Sequence, residues 1–286
     1  MRWSPGKRSE NLEDMRGAGA PRGGPGMRLG LGGMVVLLIL SVVFKRDFFS
    51  LVGGGGGLPA GAGTGTEAPV TASPEEERMV DFVSFVLDSS QAFWAREFPQ
   101  LGATYRPATL VLFRDAVQSA CGYAEAASGP FYCPGDQKVY IDLGFYEELN
   151  QRFGAPGDFA QAYVLAHEIG HHVQNLLGIE RKMRDAQQRS PGQANALSVR
   201  LELQADCLAG VWGHETQQQG ILQAGDIDEG LAAAAAVGDD RIQRMSGQAV
   251  NPEGWTHGSA EQRARWFRVG FDSGDPNRCD TFGSRD

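Results

Sequence analysis

The chain has 286 residues, of which 42% are hydrophobic, so it is long enough for one good-sized domain with appendages. Its formal net charge is −9 at pH 7, and beyond residue 52 there are 31 acidic residues against 18 basic ones. A surface this acidic excludes nucleic acid and anionic lipid as favoured partners.

Three appendages are predicted before the main domain. Residues 1–28 carry six basic residues among Gly, Pro and Ser, a composition typical of a disordered cytoplasmic tail. Residues 29–52 are predicted to be a transmembrane anchor, because they open with sixteen uncharged residues rich in Leu, Val and Ile. Residues 53–73 begin with five consecutive glycines and are predicted to be a Gly-rich linker.

The apolar stretch is short for a membrane span, because sixteen helical residues cover about 24 Å of a roughly 30 Å hydrocarbon core. A cleaved signal peptide is the alternative, but the nearest small-x-small triplet, at residues 60–62, lies too far along the chain. Six basic residues precede the stretch and two follow it, which orients the N-terminus to the cytoplasm. We therefore expect a single-pass protein of the cell membrane with its main domain on the outer, periplasmic or extracellular, face.

The main domain, residues 74–286, has the pattern of a mainly helical α+β fold. A helix is predicted to open at the acidic residues after Pro74, and a strand is predicted over residues 108–113. Residues 131–133 and 138–142 flank a Pro-Gly-Asp-Gln turn and predict a hairpin. Capping-box patterns, with Glu or Gln three residues later, predict further helix starts at Asp158, Asp226 and Ser259.

One predicted helix carries the pattern H-E-x-x-H. His167 and His171 are four residues apart, so they lie on one helix face and can bind one metal ion, with Glu168 within reach of a water at that ion. Apolar residues at spacings of three and four predict the helix, and Gly178 predicts its end. The segment is typical of a zinc hydrolase.

A catalytic zinc site needs a third protein ligand and an open position. The metzincin continuation is excluded, because Gln174 and Leu177 stand where it requires Gly and His. The other route is a carboxylate on a second helix, and Glu202 with Asp206 one turn later has that geometry. Asp206 would then accept a hydrogen bond from a ligand histidine.

Three longer segments carry a resemblance to a known family. They run from Cys121 to Asp142, from His167 to Gln174, and from Glu202 to Gly210. Residues 75 to 283 resemble the bacterial membrane-anchored neutral zinc metallopeptidases, of gluzincin type. The resemblance implies a zincin-like fold, one catalytic Zn²⁺, and the following roles: metal ligands His167, His171 and Glu202, general base Glu168, and supporting residue Asp206.

Three further histidines, His172, His214 and His257, lie outside the H-E-x-x-H pattern. His257 and Arg263 resemble the His and Arg that follow the second helix in some gluzincins, where a histidine faces the oxyanion; a capping or packing role for His257 is the alternative. His172 is turned about 100° from His171, so a surface or supporting role is expected. His214 lies off the Glu202 face and is expected to be structural.

The four cysteines predict two disulfides in a domain outside the membrane, with three possible pairings. Cys121 and Cys133 are close in sequence, so we pair them and leave Cys207 with Cys279. A role for Cys207 as a zinc ligand is disfavoured, because its side chain is rotated from the face that Glu202 and Asp206 share.

These observations predict a zinc-dependent peptidase, an endopeptidase acting on peptide or protein substrates, with Glu168 and His257 as its catalytic residues. The strand over residues 138–142 is expected to be an edge strand that aligns the substrate by strand addition. The alternative is a non-catalytic, zinc-stabilised domain that binds partner proteins at the membrane.

Overall fold

The structure, a computed structural model, describes residues 1–17, 72–125 and 129–283. These residues belong to one compact unit. The predicted anchor over residues 29–52 lies outside them, as does nearly all of the predicted linker. Within the described part of the chain, no helix combines the length and apolarity needed to cross a membrane.

The described residues form a mainly helical α+β fold, as expected. The helices are α1 (Pro74–Glu97), α2 (Gly144–Gln151), α3 (Asp158–Leu176), α4 (Ile179–Arg189), α5 (Ala194–Gln218), α6 (Asp226–Ala236), α7 (Asp239–Met245) and α8 (Ala260–Ser273). The strands are β1 (Leu12–Asp14), β2 (Thr109–Phe113), β3 (Ala116–Ser119), β4 (Gly122–Glu125), β5 (Phe131–Cys133) and β6 (Lys138–Asp142).

The larger sheet has four strands in the order β1-β2-β6-β5. β1, β2 and β6 are parallel, whereas β5 is antiparallel to β6, so the predicted hairpin is confirmed. The prediction that residues 138–142 form an edge strand is wrong, because β6 is hydrogen-bonded on both sides. Among the described strands of this sheet, β5 has the free edge next to β6, and β1 has the other. β3 and β4 form a separate antiparallel pair.

Residues 1–17, here called the N-terminal strap, lie along the domain and differ from the predicted disordered tail. β1 extends the sheet, and the backbone N–H of Met15 donates to the carbonyl of Leu112 at 2.8 Å. The buried guanidinium of Arg16 pairs with Asp14 and with two carboxylates of α1. Trp3 packs against Phe82 of α1, with 5.1 Å between ring centroids. The strap is too polar to form a core alone, but the domain supplies a sheet edge and paired carboxylates.

Helix α3 lies at the centre of the helical layer, in contact with α5, α6 and α1, while α8 packs along α5. The α3–α5 crossing is close, because a Cβ at Gly170 would lie 3.0 Å from the carbonyl oxygen of Ala205. The α5–α8 crossing is closer still, because a Cβ at Gly270 would meet the carbonyl of Cys207. These crossings bring the polar faces of α3, α5 and α8 together.

Both predicted disulfides are confirmed, Cys121 with Cys133 and Cys207 with Cys279, and among the described residues no cysteine is free. The first joins β5 to the turn before β4. The second joins α5 to the segment after α8. Two covalent links of this kind are typical of a domain that folds in an oxidising compartment.

Candidate metal centre

Three ligand-type side chains from two helices meet at the crossing of α3 and α5. His167 and His171 come from α3 and Glu202 from α5. Their facing atoms are close: 3.1 Å separates the two Nε2 atoms, and 3.2 Å separates His167 Nε2 from the Glu202 Oε2 atom. His171 Nε2 lies 3.4 Å from the other carboxylate oxygen. The structure thus brings together the three residues that the sequence proposed as ligands.

The spacing of these atoms fits a tetrahedral zinc ion. Zinc binds imidazole nitrogen and carboxylate oxygen at about 2.0–2.2 Å, so two ligands of a tetrahedral site lie about 3.3 Å apart. The two Nε2 atoms are 3.1 Å apart, and each lies near that distance from one Glu202 oxygen, His167 at 3.2 Å from Oε2 and His171 at 3.4 Å from Oε1. Two imidazoles and one carboxylate are also the donor set of one class of catalytic zinc site.

Asp206 fixes the ring orientation of His167. The Asp206 side chain is fully buried, and its Oδ1 lies 2.8 Å from Nδ1 of His167. Because an ionised carboxylate only accepts hydrogen bonds, Nδ1 carries the proton and Nε2 presents its lone pair to the metal position. Asp206 therefore has the supporting position that the sequence predicted for it.

Arg263, from α8, holds Asp206 in place. Its Nε and Nη2 atoms donate to the two carboxylate oxygens at 2.8 and 2.9 Å, and its side chain is buried. The hydroxyl of Tyr163 donates to the same carboxylate. A buried carboxylate with these three donors keeps both its charge and its orientation. The sequence pointed to Arg263 only through resemblance, and its contact with Asp206 depends on the α5–α8 crossing.

The electrostatics of the centre favour a bound cation. Burial opposes protonation of His167, but the charges of Asp206 and Glu202 outweigh it and raise the pKa of His167 to about 10. The pKa of His171 is also raised, because Glu202 outweighs the effect of burial. Carboxylates that stabilise a proton at these imidazoles also stabilise a metal ion, so metal binding releases protons.

Glu168 lies beside this centre with its side chain uncommitted. It follows His167 on α3 and is mostly buried. Among the described residues its carboxylate has no hydrogen-bonding partner. A carboxylate next to a metal position and without a structural role is available to exchange protons with water.

The family model described as "Putative neutral zinc metallopeptidase" matches residues 1–282. The chain belongs to this family. The match begins at residue 1 and so includes the N-terminal strap as well as the metal centre.

Two relatives of this chain are described as uncharacterized proteins. YpfJ of Escherichia coli (strain K12) is 47% identical over 290 residues, covering 99% of each chain. Rv2575 of Mycobacterium tuberculosis (strain ATCC 25618 / H37Rv) is 48% identical over 210 residues, covering 70% of this chain and 69% of its own. No solved structure matches the chain.

His257 lies outside the three-ligand cluster, on the loop before α8. Its side chain is 51% exposed, and Nδ1 lies 3.2 Å from an oxygen of Asp239. Asp239 also accepts the backbone N–H groups of residues 256, 257 and 258, so it fixes this loop. The hydrogen bond that His257 donates to Asp239 raises the pKa of His257. The proposed role of His257 at the oxyanion stays a prediction.

His172 is fully buried and links α3 to the free sheet edge instead of lying at the surface. Its Nε2–H donates to the carbonyl of Arg106 at 2.6 Å, and its Nδ1 accepts from the hydroxyl of Tyr132 on β5 at 3.0 Å. Asn175 donates to the same hydroxyl. His214 is structural, as expected, with Nδ1 bonded to the carbonyl of Phe271.

Gln174 is a site residue that sequence reasoning missed. Its Oε1 lies 2.8 Å from Nδ1 of His171, and its side chain is fully buried. The sequence signal was present, because residues three apart on a helix are neighbours. Sequence reasoning used Gln174 only to exclude the metzincin pattern.

Proposed function

We propose that the chain is a zinc-dependent peptidase, an endopeptidase that hydrolyses peptide bonds in peptide or protein substrates. The observation that supports this most strongly is the convergence of three ligand atoms from His167, His171 and Glu202, with the Glu168 carboxylate near enough for its charge to raise the pKa of His171. Zinc bound there would polarise a substrate carbonyl and lower the pKa of a water to about 7.

The chain's own residues divide the work as follows. His167, His171 and Glu202 hold the metal, the two imidazoles through Nε2. Glu168 takes a proton from the attacking water and passes it to the leaving amine. Asp206 keeps His167 in the tautomer that binds metal and increases its basicity. His257, on the loop fixed by Asp239, donates a hydrogen bond to the oxyanion.

Substrate alignment is assigned to β5, in place of the interior strand β6. β5 is the edge strand linked to α3 through Tyr132, His172 and Asn175. The side of β5 away from β6 is not paired with another described strand, and backbone groups there can hydrogen-bond to an extended peptide. The link to α3 fixes the position of a peptide bound at β5 relative to the helix that carries Glu168.

A non-catalytic, zinc-stabilised protein-binding domain is the competing function. A structural zinc site fills all four positions with protein ligands. Here the cluster has three ligand residues among the described residues, and Glu168 stands beside it. That arrangement favours a peptidase.

The test compares Glu168→Gln with Glu202→Ala for zinc content and for hydrolysis of an unstructured protein substrate. Glu168→Gln should remove hydrolysis and leave about one zinc per chain, because Glu168 acts on water and not on the metal. Glu202→Ala should lower zinc affinity sharply. Turnover that is unchanged in Glu168→Gln would refute the peptidase. Zinc binding that is unchanged in Glu202→Ala would refute this ligand set.

A further inference from the structure

His171 is oriented by a neutral amide, whereas His167 is oriented by a carboxylate. Gln174 Oε1 lies 2.8 Å from Nδ1 of His171. The Nε2 of the same amide donates to the carbonyl of Leu201 at 2.7 Å and to Oε1 of Gln204 at 3.1 Å. Both glutamines are buried.

The hydrogen bonds that run from His171 through the amides of Gln174 and Gln204, here called the amide chain, continue to a disulfide. Nε2 of Gln204 donates to the carbonyl of Cys279 at 2.8 Å, and Cys279 is bonded to Cys207. Gln204 and Cys207 both belong to α5, the helix that supplies Glu202. The disulfide, together with the hydrogen bond from the hydroxyl of Thr281 to the carbonyl of Arg200 on α5, holds the Cys279 carbonyl against the helix of the third ligand.

The direction of every hydrogen bond made by the two glutamine amides is determined by their partners. The carbonyls of Leu201 and Cys279 can only accept, so each glutamine must turn its NH₂ group toward them. Gln174 then has to present Oε1 to His171, whose Nδ1 must carry the proton. The Nε2 lone pair of His171 is consequently directed at the metal position.

A neutral acceptor also suits the charge of the centre. Glu202 and Asp206 already supply two carboxylates, and a third at position 174 would further reduce the positive charge that the metal presents to a substrate carbonyl. It would in addition face the carbonyl of Leu201 without a proton to donate. An amide orients the imidazole ring of His171 without adding a negative charge to the centre.

We propose that Gln174 is the positioning residue of His171, and that the amide chain through Gln204 makes metal affinity dependent on the Cys207–Cys279 disulfide. This inference rests on the metal centre of the proposed function and does not require that peptides are hydrolysed. Opening the disulfide frees the Cys279 carbonyl, so Gln204 loses a fixed acceptor. Gln174 then keeps its bond to the carbonyl of Leu201 but loses the ordered Oε1 of Gln204.

The first arm measures zinc affinity by competition with a chromophoric chelator, using zinc alone as the probe. Gln174→Met should weaken zinc binding roughly 10- to 100-fold, the usual loss when such a supporting contact is removed. Imidazole ¹⁵N NMR of the zinc-loaded protein should show the Nδ1–H of His171 exchanging faster with water, because its hydrogen-bond acceptor has been removed. A merely structural role would lower the melting temperature and leave both readouts unchanged.

Gln187→Met is the matched control, because this amide also bridges two helices, donating to the carbonyl of Ala194 and to Ser198, without touching a histidine. Its zinc affinity should equal that of the wild type. If Gln174→Met does not fold, Gln204→Met provides the test, since Gln174 then keeps its bond to Leu201; we expect roughly a several-fold loss. Wild-type affinity in the folded variant would overturn the proposal.

The second arm compares two disulfide deletions, Cys207→Ala with Cys279→Ala and Cys121→Ala with Cys133→Ala. The first pair should weaken zinc binding about as much as Gln204→Met. The second should leave it unchanged, because that disulfide is not connected to the amide chain. Equal effects would overturn the coupling. A wild type that binds no zinc would instead refute the proposed function itself.

Discussion

At the scale of residues, the partner of each imidazole determines its role. His167 donates through Nδ1 to a carboxylate and His171 to an amide, so both direct Nε2 at the metal position. His172 donates through Nε2 to a carbonyl and accepts at Nδ1, so both of its nitrogens are occupied within the fold. Adjacent histidines on one helix therefore serve different purposes, and the 100° turn between them allows it.

His172 predicts a loss of stability in mild acid. Burial lowers its pKa from 6.5 to about 4 and outweighs the hydrogen bond to the carbonyl of Arg106, which acts in the opposite direction. Below pH 6.5 the imidazole of His172 binds a proton in the unfolded chain, whereas in the folded protein it stays neutral down to about pH 4. The free energy of unfolding therefore falls as the pH is lowered from 6.5 to 4 and is unaffected above pH 6.5. At pH 5 this effect lowers the free energy of unfolding by about 2 kcal/mol.

Urea unfolding with EDTA present, at pH 7 and at pH 5, measures this effect. The loss on acidification should be about 2 kcal/mol larger in the wild type than in His172→Gln, whose side chain does not titrate. An identical loss in both proteins would show that His172 does not stay neutral in the fold.

His257 predicts an effect on turnover. If it donates to the oxyanion, His257→Ala should reduce kcat by roughly 10² to 10³ with little change in KM or zinc content. Asp239→Asn weakens the contact that orients His257 and should give a smaller reduction. An unchanged kcat together with a lower melting temperature would assign His257 to the packing of its loop.

At the scale of elements, the start of α3 is fixed by a distant residue. The sequence predicted a capping box of Asp158 and Gln161, but Asp158 instead accepts a hydrogen bond from Trp3 of the N-terminal strap. The carboxylate of Glu229, from α6, accepts the backbone N–H of Phe159. At the second predicted capping box, Asp226 likewise accepts a hydrogen bond from the N-terminal ammonium group. The third predicted capping box, Ser259 with Gln262, is present.

Gly157 is required at this helix start for two reasons. Its φ of 117° is strained for any residue with a side chain, and an added Cβ would lie 2.1 Å from the Glu229 carboxylate. Gly157→Ala should therefore lower the free energy of unfolding by about 3 kcal/mol, from backbone strain and the lost cap together. Gly102→Ala is the control, because Gly102 has φ 70° but open space around it. Equal losses in urea unfolding would show that Glu229 does not cap α3.

Sequence reasoning succeeded where one helix or one hairpin contains the information. Helical period placed His167, His171 and Glu168, and a turn signal placed the β5–β6 hairpin. It failed where sheet order or helix crossing decides the outcome. β6 alternates as an edge strand would, but it lies inside the sheet because β2 pairs with it. Gln174 gained its role only when α5 supplied Leu201 and Gln204 as partners.

At the scale of the whole molecule, the N-terminal strap constrains membrane topology. The strap runs from Asp226 on α6, where the N-terminal ammonium pairs, to the sheet edge at β2. Arg16 forms buried ion pairs with α1, and such pairs are costly to break because the partners would be left unpaired. The strap and the main domain therefore belong to one compact unit.

A single membrane crossing within residues 29–52 would place the strap and the domain on opposite faces, which their shared sheet does not allow. We therefore expect both on the same face. Single cysteines at two exposed lysines, Lys7→Cys in the strap and Lys182→Cys on α4, can be labelled with an impermeant maleimide on intact spheroplasts. Both should react to the same extent before permeabilisation. If Lys182→Cys reacts at once and Lys7→Cys only after permeabilisation, the strap is separated from the domain in the cell and the single-pass topology stands.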